Sequence, residues 1–93
     1  MLILQEHDGQ NGRFYIEDNN EEVAAIEYTL SNEKTLFINH TEVDERLQGN
    51  QIGVQLVEKV ADFAREKHFT IVPICSYVAA IMKRETRFAD VLG

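Results

Sequence analysis

An α/β domain, with a mixed, mostly antiparallel five-stranded sheet and a long helix packed across it, is the fold these 93 residues predict. Three observations predict it. The first half alternates apolar and polar residues with the period of half-buried strands. Clusters of Gly, Asn, Asp and Ser cut that half into four segments. Near residue 52 the period becomes helical, and a second strand-like run follows. The expected order is β-β-β-β-α-β-α, in one domain covering residues 1–93.

Residues 2–7 form a short first strand, apolar at its start. Asp8-Gly9-Gln10-Asn11-Gly12 is turn chemistry, with two glycines and side chains that tolerate the left-handed region. Residues 13–17 follow, with Phe14 and Ile16 on one face, and Asp18-Asn19-Asn20 turns the chain again. Ala24, Ile26, Tyr28 and Leu30 alternate with Glu27 and Thr29, and Ser31-Asn32-Glu33 makes a third turn. Residues 35–43, rich in aromatic and branched side chains, read as the central strand. On this reading His40 shares a face with Leu36 and Ile38. From residue 52 to 67, Leu56, Val57, Val60, Phe63 and Ala64 mark one helical stripe. Burying each large member contributes about 1.5–3 kcal/mol, so the stripe must dock on the sheet. Residues 69–75 make a fifth strand, parallel to the fourth because a helix joins them. Residues 77–85 read as a shorter helix with Ala79, Ala80, Ile81 and Met82 on its apolar side.

Composition narrows the function. The formal net charge of −7 repels nucleic acid and anionic lipid, and no basic cluster occurs, so neither is an expected partner. A cationic partner such as an amine suits the charge better, although surplus acid also serves solubility alone. The single cysteine, Cys75, excludes an internal disulfide and suits a reducing compartment. With no signal-like or membrane-spanning run, the expected location is the cytoplasm. No His, Cys, Asp and Glu cluster has metal-ligand spacing.

Gln48-Gly49-Asn50-Gln51-Ile52-Gly53 lies between the central strand and the long helix. Glycines let backbone approach a ligand, and a helix N-terminus offers free N–H groups and a partial positive charge. Together these bind phosphate without a basic side chain. An ordinary β–α connection has the same composition, so the segment alone leaves both readings open. A Walker loop is excluded, because Gly53-Val54-Gln55 replaces its lysine and hydroxyl residue. A dinucleotide fingerprint belongs to a parallel βαβ unit, not to the end of a meander.

In this segment the sequence resembles the GCN5-related N-acetyltransferases, whose motif Gln/Arg-x-x-Gly-x-Gly/Ala occupies the same place. Gln48 matches its first position and Gly53 its last, while Gln51 stands where the family has its central glycine. That glutamine either points outward, leaving the backbone donors clear, or closes the site. The wider runs Asn39-His40-Thr41-Glu42-Val43 and Pro73-Ile74-Cys75-Ser76-Tyr77 look like a compact bacterial branch of that family.

The resemblance implies an acyl-CoA-binding domain. Gln48, Gly49, Asn50, Gln51, Ile52 and Gly53 would hold the pyrophosphate of acetyl-CoA. The pantetheine arm would lie between strands four and five, paired with backbone at Thr41, Glu42 and Val43. Pro73 is an independent hint, since a residue without an N–H avoids paired central strands; a bulge without function explains it equally. Cys75, ahead of a helix, is either an acyl acceptor or contact, or a small buried hydrophobe. Tyr77 is the family-style candidate for protonating the leaving thiolate, or packs. His40 is either a base or a structural histidine. The implied activity is an acetyl-CoA-dependent N-acetyltransferase of minimal size, in which an amine attacks the thioester directly. The alternatives are an acyl-CoA-binding module without efficient transfer and a domain that has lost the ligand.

Overall fold

The computed structural model describes residues 2–49 and 51–93. Five strands form one sheet in sequence order: β1 (Ile3–Asp8), β2 (Asn11–Asp18), β3 (Glu21–Leu30), β4 (Thr35–Val43) and β5 (Thr70–Pro73). The first four pair antiparallel as a meander, and β5 pairs parallel with β4. Helix α1 (Ile52–Lys67) makes the crossover, and α2 (Ser76–Arg84) follows β5. Short 3₁₀ turns occupy Glu45–Leu47 and Thr86–Phe88.

The local reasons are plain in the chain. The β2–β3 hairpin turns on Asn19 and Asn20, both at positive φ (52° and 65°), as a two-residue type I′ turn requires. Helix α1 ends at His68, in the left-handed region, whose N–H bonds the carbonyls of Ala64 and Arg65. Its buried stripe, including Leu56, Val57, Val60, Ala61 and Ala64, packs on the sheet face formed by Phe14, Ile16, Ala24, Ile26, Leu36, Ile38 and Ile71. Phe14, Tyr28 and Phe63 meet there with ring centroids 5.5–5.9 Å apart. The Tyr28 hydroxyl is satisfied by Gln5 Nε2, which donates at 2.8 Å.

Three expectations are corrected. First, β4 carries a bulge. Tyr28 pairs with Ile38 but Glu27 pairs with His40, so Asn39 is extra. Asn39 Nδ2 donates to Thr29 Oγ1 (2.8 Å), and that hydroxyl donates to Asn11 Oδ1 (3.1 Å), a polar row across three strands that holds the bulge. One extra residue reverses every later side chain. His40 therefore leaves the face of Leu36 and Ile38 and joins Glu27 on the opposite face, while Thr41 and Val43 take the helix face. Second, β5 ends at Pro73, not at residue 75. Third, α2 buries Val78, Ile81 and Met82, whereas Ala80 is exposed. The C-terminal residues also join the core: Phe88 and Val91 are buried, and Leu92 bridges to Ile71. Arg65 ties this segment to α1 by donating to both Asp90 carboxylate oxygens and to the carbonyl of Arg87.

Candidate functional site

β4 is longer than its parallel partner. Their pairing ends at Ile38 with Pro73, and the N–H groups of Ile74 and Cys75 both donate to the Ile38 carbonyl (2.9 and 3.0 Å). Beyond that point β4 continues to Val43, paired with β3 on one side only. The bulge at Asn39 directly follows the last β4–β5 pair, and β5 itself ends there at Pro73. The direction of the free groups follows from alternation. Asp44 N–H donates to the Val23 carbonyl, so Glu42 also turns its backbone groups toward β3, and those of Thr41 and Val43 face the gap.

The chain leaves β4 through Asp44, whose carboxylate accepts from Arg46 N–H at 2.9 Å and caps the 3₁₀ turn. It then reaches α1 through Gly49 at φ +88° and Gln51 at φ +61°. Gln51 is the N-cap residue, and its side chain makes no capping bond. The first-turn N–H groups of α1 thus have no side-chain partner at the cap, and a helix start leaves them without intrahelical acceptors. The free edge of β4 and the start of α1 open on one cavity of about 1190 Å³.

That cavity is lined by Thr41, Glu42, Val43, Gln48, Gly49, Gln51, Ile52, Gly53 and Tyr77 among the residues singled out from sequence. Asn50 lies outside the described residues. Cys75 and His40 do not line it. Cys75 is the N-cap residue of α2, half-buried against the core. His40 sits on the far face of the sheet, with Nε2 3.2 Å from Glu42 Oε1. The lining also includes Glu22, Val23, Ala24, Ala25, Asp44, Glu45 and Leu47. The four β3 residues carry no signal in their own segment. Only the antiparallel register, which sets Ala24 opposite Val43 and Ala25 opposite Glu42, brings them there.

The rim is acidic, with Glu22, Glu42, Asp44 and Glu45 on it. Hydrogen bonds from the Arg46 side chain, then from its backbone N–H, hold the Asp44 carboxyl below its usual range. Arg46 in turn binds Asp44 through Nε and Nη2 (3.1 and 3.0 Å), so its charge is matched locally. The Arg13 guanidinium hydrogen-bonds Glu22 and lowers that carboxyl in the same way. No Lys or Arg lines the cavity among the described residues, so an anion bound here would rest on neutral donors, the backbone N–H groups of the α1 start foremost.

A thioester carrying a pantetheine arm and a pyrophosphate fits these groups. The arm's amides match the outward N–H and C=O groups of Thr41 and Val43, and the pyrophosphate matches the start of α1. The Thr41 hydroxyl oxygen, buried on this wall and without a hydrogen-bond partner among the described residues, is a further polar group awaiting one. Among the described residues no group of three or more His, Cys, Asp or Glu is placed to hold a metal ion. Among the described residues no helix is long and apolar enough to cross a membrane.

Comparison with known proteins bears on the fold and the family. A family model described as GCN5-related N-acetyl-transferase matches residues 13–91. Protein NATD1 of Danio rerio is 30% identical over 79 residues, covering 84% of this chain and 72% of that protein. A solution structure of a GCN5-like chain from Staphylococcus aureus superposes with a TM-score of 0.77 at 28% identity, covering 97% of this chain and 87% of that one. A larger Bacillus anthracis structure, named for streptothricin acetylation and solved with acetyl coenzyme A, has a TM-score of 0.61 at 15% identity. It shares the fold over 71% of this chain and 38% of its own.

Proposed function

This chain belongs to the GCN5-related N-acetyltransferase family, and from that premise we propose that it is an acetyl-CoA-dependent N-acetyltransferase of minimal size. The observation that carries the reading is the union of the free β4 edge and the α1 start in one cavity. The whole chain would act as a single acyl-CoA-binding domain of a compact branch. The similar chains from a fish and a bacterium do not restrict that branch to bacteria. The bound coenzyme supplies an activated acetyl group as a thioester. Gly49, Gln51, Ile52 and Gly53 hold its pyrophosphate with backbone N–H groups, and Gln48 frames the turn. Thr41 and Val43 would align the arm, and an outward N–H at β4 would polarise the thioester carbonyl. Tyr77, on the cavity wall, would return a proton to the coenzyme's thiolate. An acceptor amine would attack directly, drawn by the acidic rim. His40 and Cys75 lie outside this cavity; His40 would serve as a base acting with Glu42 from the open sheet face, and Cys75 as an acyl acceptor. The cytoplasm is the proposed location.

A binding module without efficient transfer is the second reading, favoured by one observation. No helix packs on the sheet face that bears Glu27 and His40, so nothing there walls an acceptor site among the described residues. An NMR titration with acetyl-CoA tests the reading. The amides of Gly49, Gln51, Ile52, Gly53, Thr41 and Val43 should move, and that of Glu42, committed to β3, should move less. Saturating ligand that leaves all of them unchanged removes the proposal. Turnover with any amine then separates enzyme from binding module.

A further inference from the structure

We propose that Gly53 is a positioning residue for Tyr77, and that its missing side chain serves the phenol rather than the pyrophosphate. The proposal rests on the coenzyme reading above. Gly53 is the second residue of α1 and has ordinary helical backbone; it is not among the glycines at positive φ. Nothing in its conformation requires glycine, and a helix favours alanine over it. The need comes from across the cavity. A Cβ at Gly53 would lie 2.8 Å from Tyr77 Cζ and 2.9 Å from Tyr77 Cε2, and closer still to the hydroxyl. The phenol of α2 is therefore seated directly against the first turn of α1. Tyr77 is otherwise half-exposed, at 49% of its free surface, so this seat is a principal restraint on where its hydroxyl points. Both residues line the same cavity as Thr41 and Val43. Gly53 thus sets the hydroxyl at the boundary between the start of α1 and the gap beside β4. A methyl group at Gly53 would push the ring outward, because a tyrosine tip moves more readily than helix backbone.

Two probes separate this role from a direct one. Acetyl-CoA carries the pantetheine arm and thioester; 3′-phosphoadenosine 5′-diphosphate carries the pyrophosphate and lacks the arm. Gly53→Ala should raise the Kd for acetyl-CoA at least fivefold and that for the nucleotide less than twofold. In a Tyr77→Leu background, Gly53→Ala should change the acetyl-CoA Kd less than twofold, because the ring it displaces is gone. Equal losses on both probes, or an undiminished loss in the Tyr77→Leu background, overturn the proposal and assign the need for glycine to the pyrophosphate that its N–H would hold. If the parent chain binds neither probe, the coenzyme reading fails on its own account. The seat is then judged in the free protein by thermal midpoints: Gly53→Ala must raise the midpoint in the Tyr77→Leu background, as helix propensity dictates, and must raise it less, or lower it, with Tyr77 present, and an equal change in both backgrounds refutes the seat.

Discussion

Gln51→Gly is the perturbation that most directly tests the turn before α1. Gln51 occupies the family's central glycine position and adopts φ +61°, ψ +24°, a left-handed conformation, with no capping bond from its side chain. An L-residue in that region costs roughly 1–2 kcal/mol. Glycine removes that cost but adds about 0.4–1 kcal/mol of chain entropy in the unfolded state. The net expectation is a gain of about 0.5–1 kcal/mol. For a domain of this size 1 kcal/mol moves the thermal midpoint by about 4–8 °C, so the variant should melt roughly 2–8 °C higher. Gly49→Ala is the mirror experiment. Gly49 has φ +88° and a Cβ there would meet nothing within 4 Å, so only backbone strain enters. That variant should lose about 0.5–1 kcal/mol. Midpoints by circular dichroism and acetyl-CoA affinities by calorimetry read both. Since Gln51→Gly keeps the backbone conformation that aims the N–H groups, affinity should hold or tighten. A lower midpoint in Gln51→Gly would mean that the glutamine side chain makes a stabilising contact. Weaker binding would mean that its amide touches the ligand, and either result refutes the view of Gln51 as a strained bystander.

Three further outcomes are expected. Affinity for acetyl-CoA should hold or rise slightly as salt goes from low to moderate, because screening relieves repulsion between the anionic ligand and a chain of net charge −7 whose nearby Arg46 is bound to Asp44; a steep loss with salt would contradict the backbone-dipole account. Glu22, Asp44 and Asp90 all have carboxyls lowered by hydrogen bonds from Arg13, Arg46 and Arg65, so they stabilise the fold above the ordinary carboxylate range, and that stability is lost as pH falls through their lowered values. Urea midpoints should therefore be flat from pH 7 to about 5 and fall below about 4; a midpoint that rises on acidification would exclude these pairs as contributors. Cys75→Ala should keep acetyl-CoA binding within about twofold, since the residue does not line the cavity. Intact mass after incubation decides its chemistry: one acetyl group lost with Cys75→Ala makes the thiol an acceptor, and none in the parent removes that role.

Local pattern determined a large part of this molecule. The meander and the parallel fifth strand follow from the change of apolar period and from turn residues such as Asn19 and Asn20, whose conformations are set by neighbours in the chain. Helix α1 was legible to its ends, because its stripe repeats over sixteen residues and nothing within it breaks the pattern. The turn at residues 48–53 was legible as a candidate anion site for the same local reason. The tertiary structure alone decided the rest. A bulge at Asn39 adds one residue without disturbing the composition of β4, so alternation in the sequence placed His40 on the wrong face; only pairing with β3 records the slip. The wall of Glu22, Val23, Ala24 and Ala25, the seat of Tyr77 on Gly53, and the burial of Phe88 and Val91 join residues far apart in the chain. No short-range periodicity carries such contacts. They are set when burial of the shared core brings the elements together, and the cavity is the space that this packing leaves beside the free end of β4.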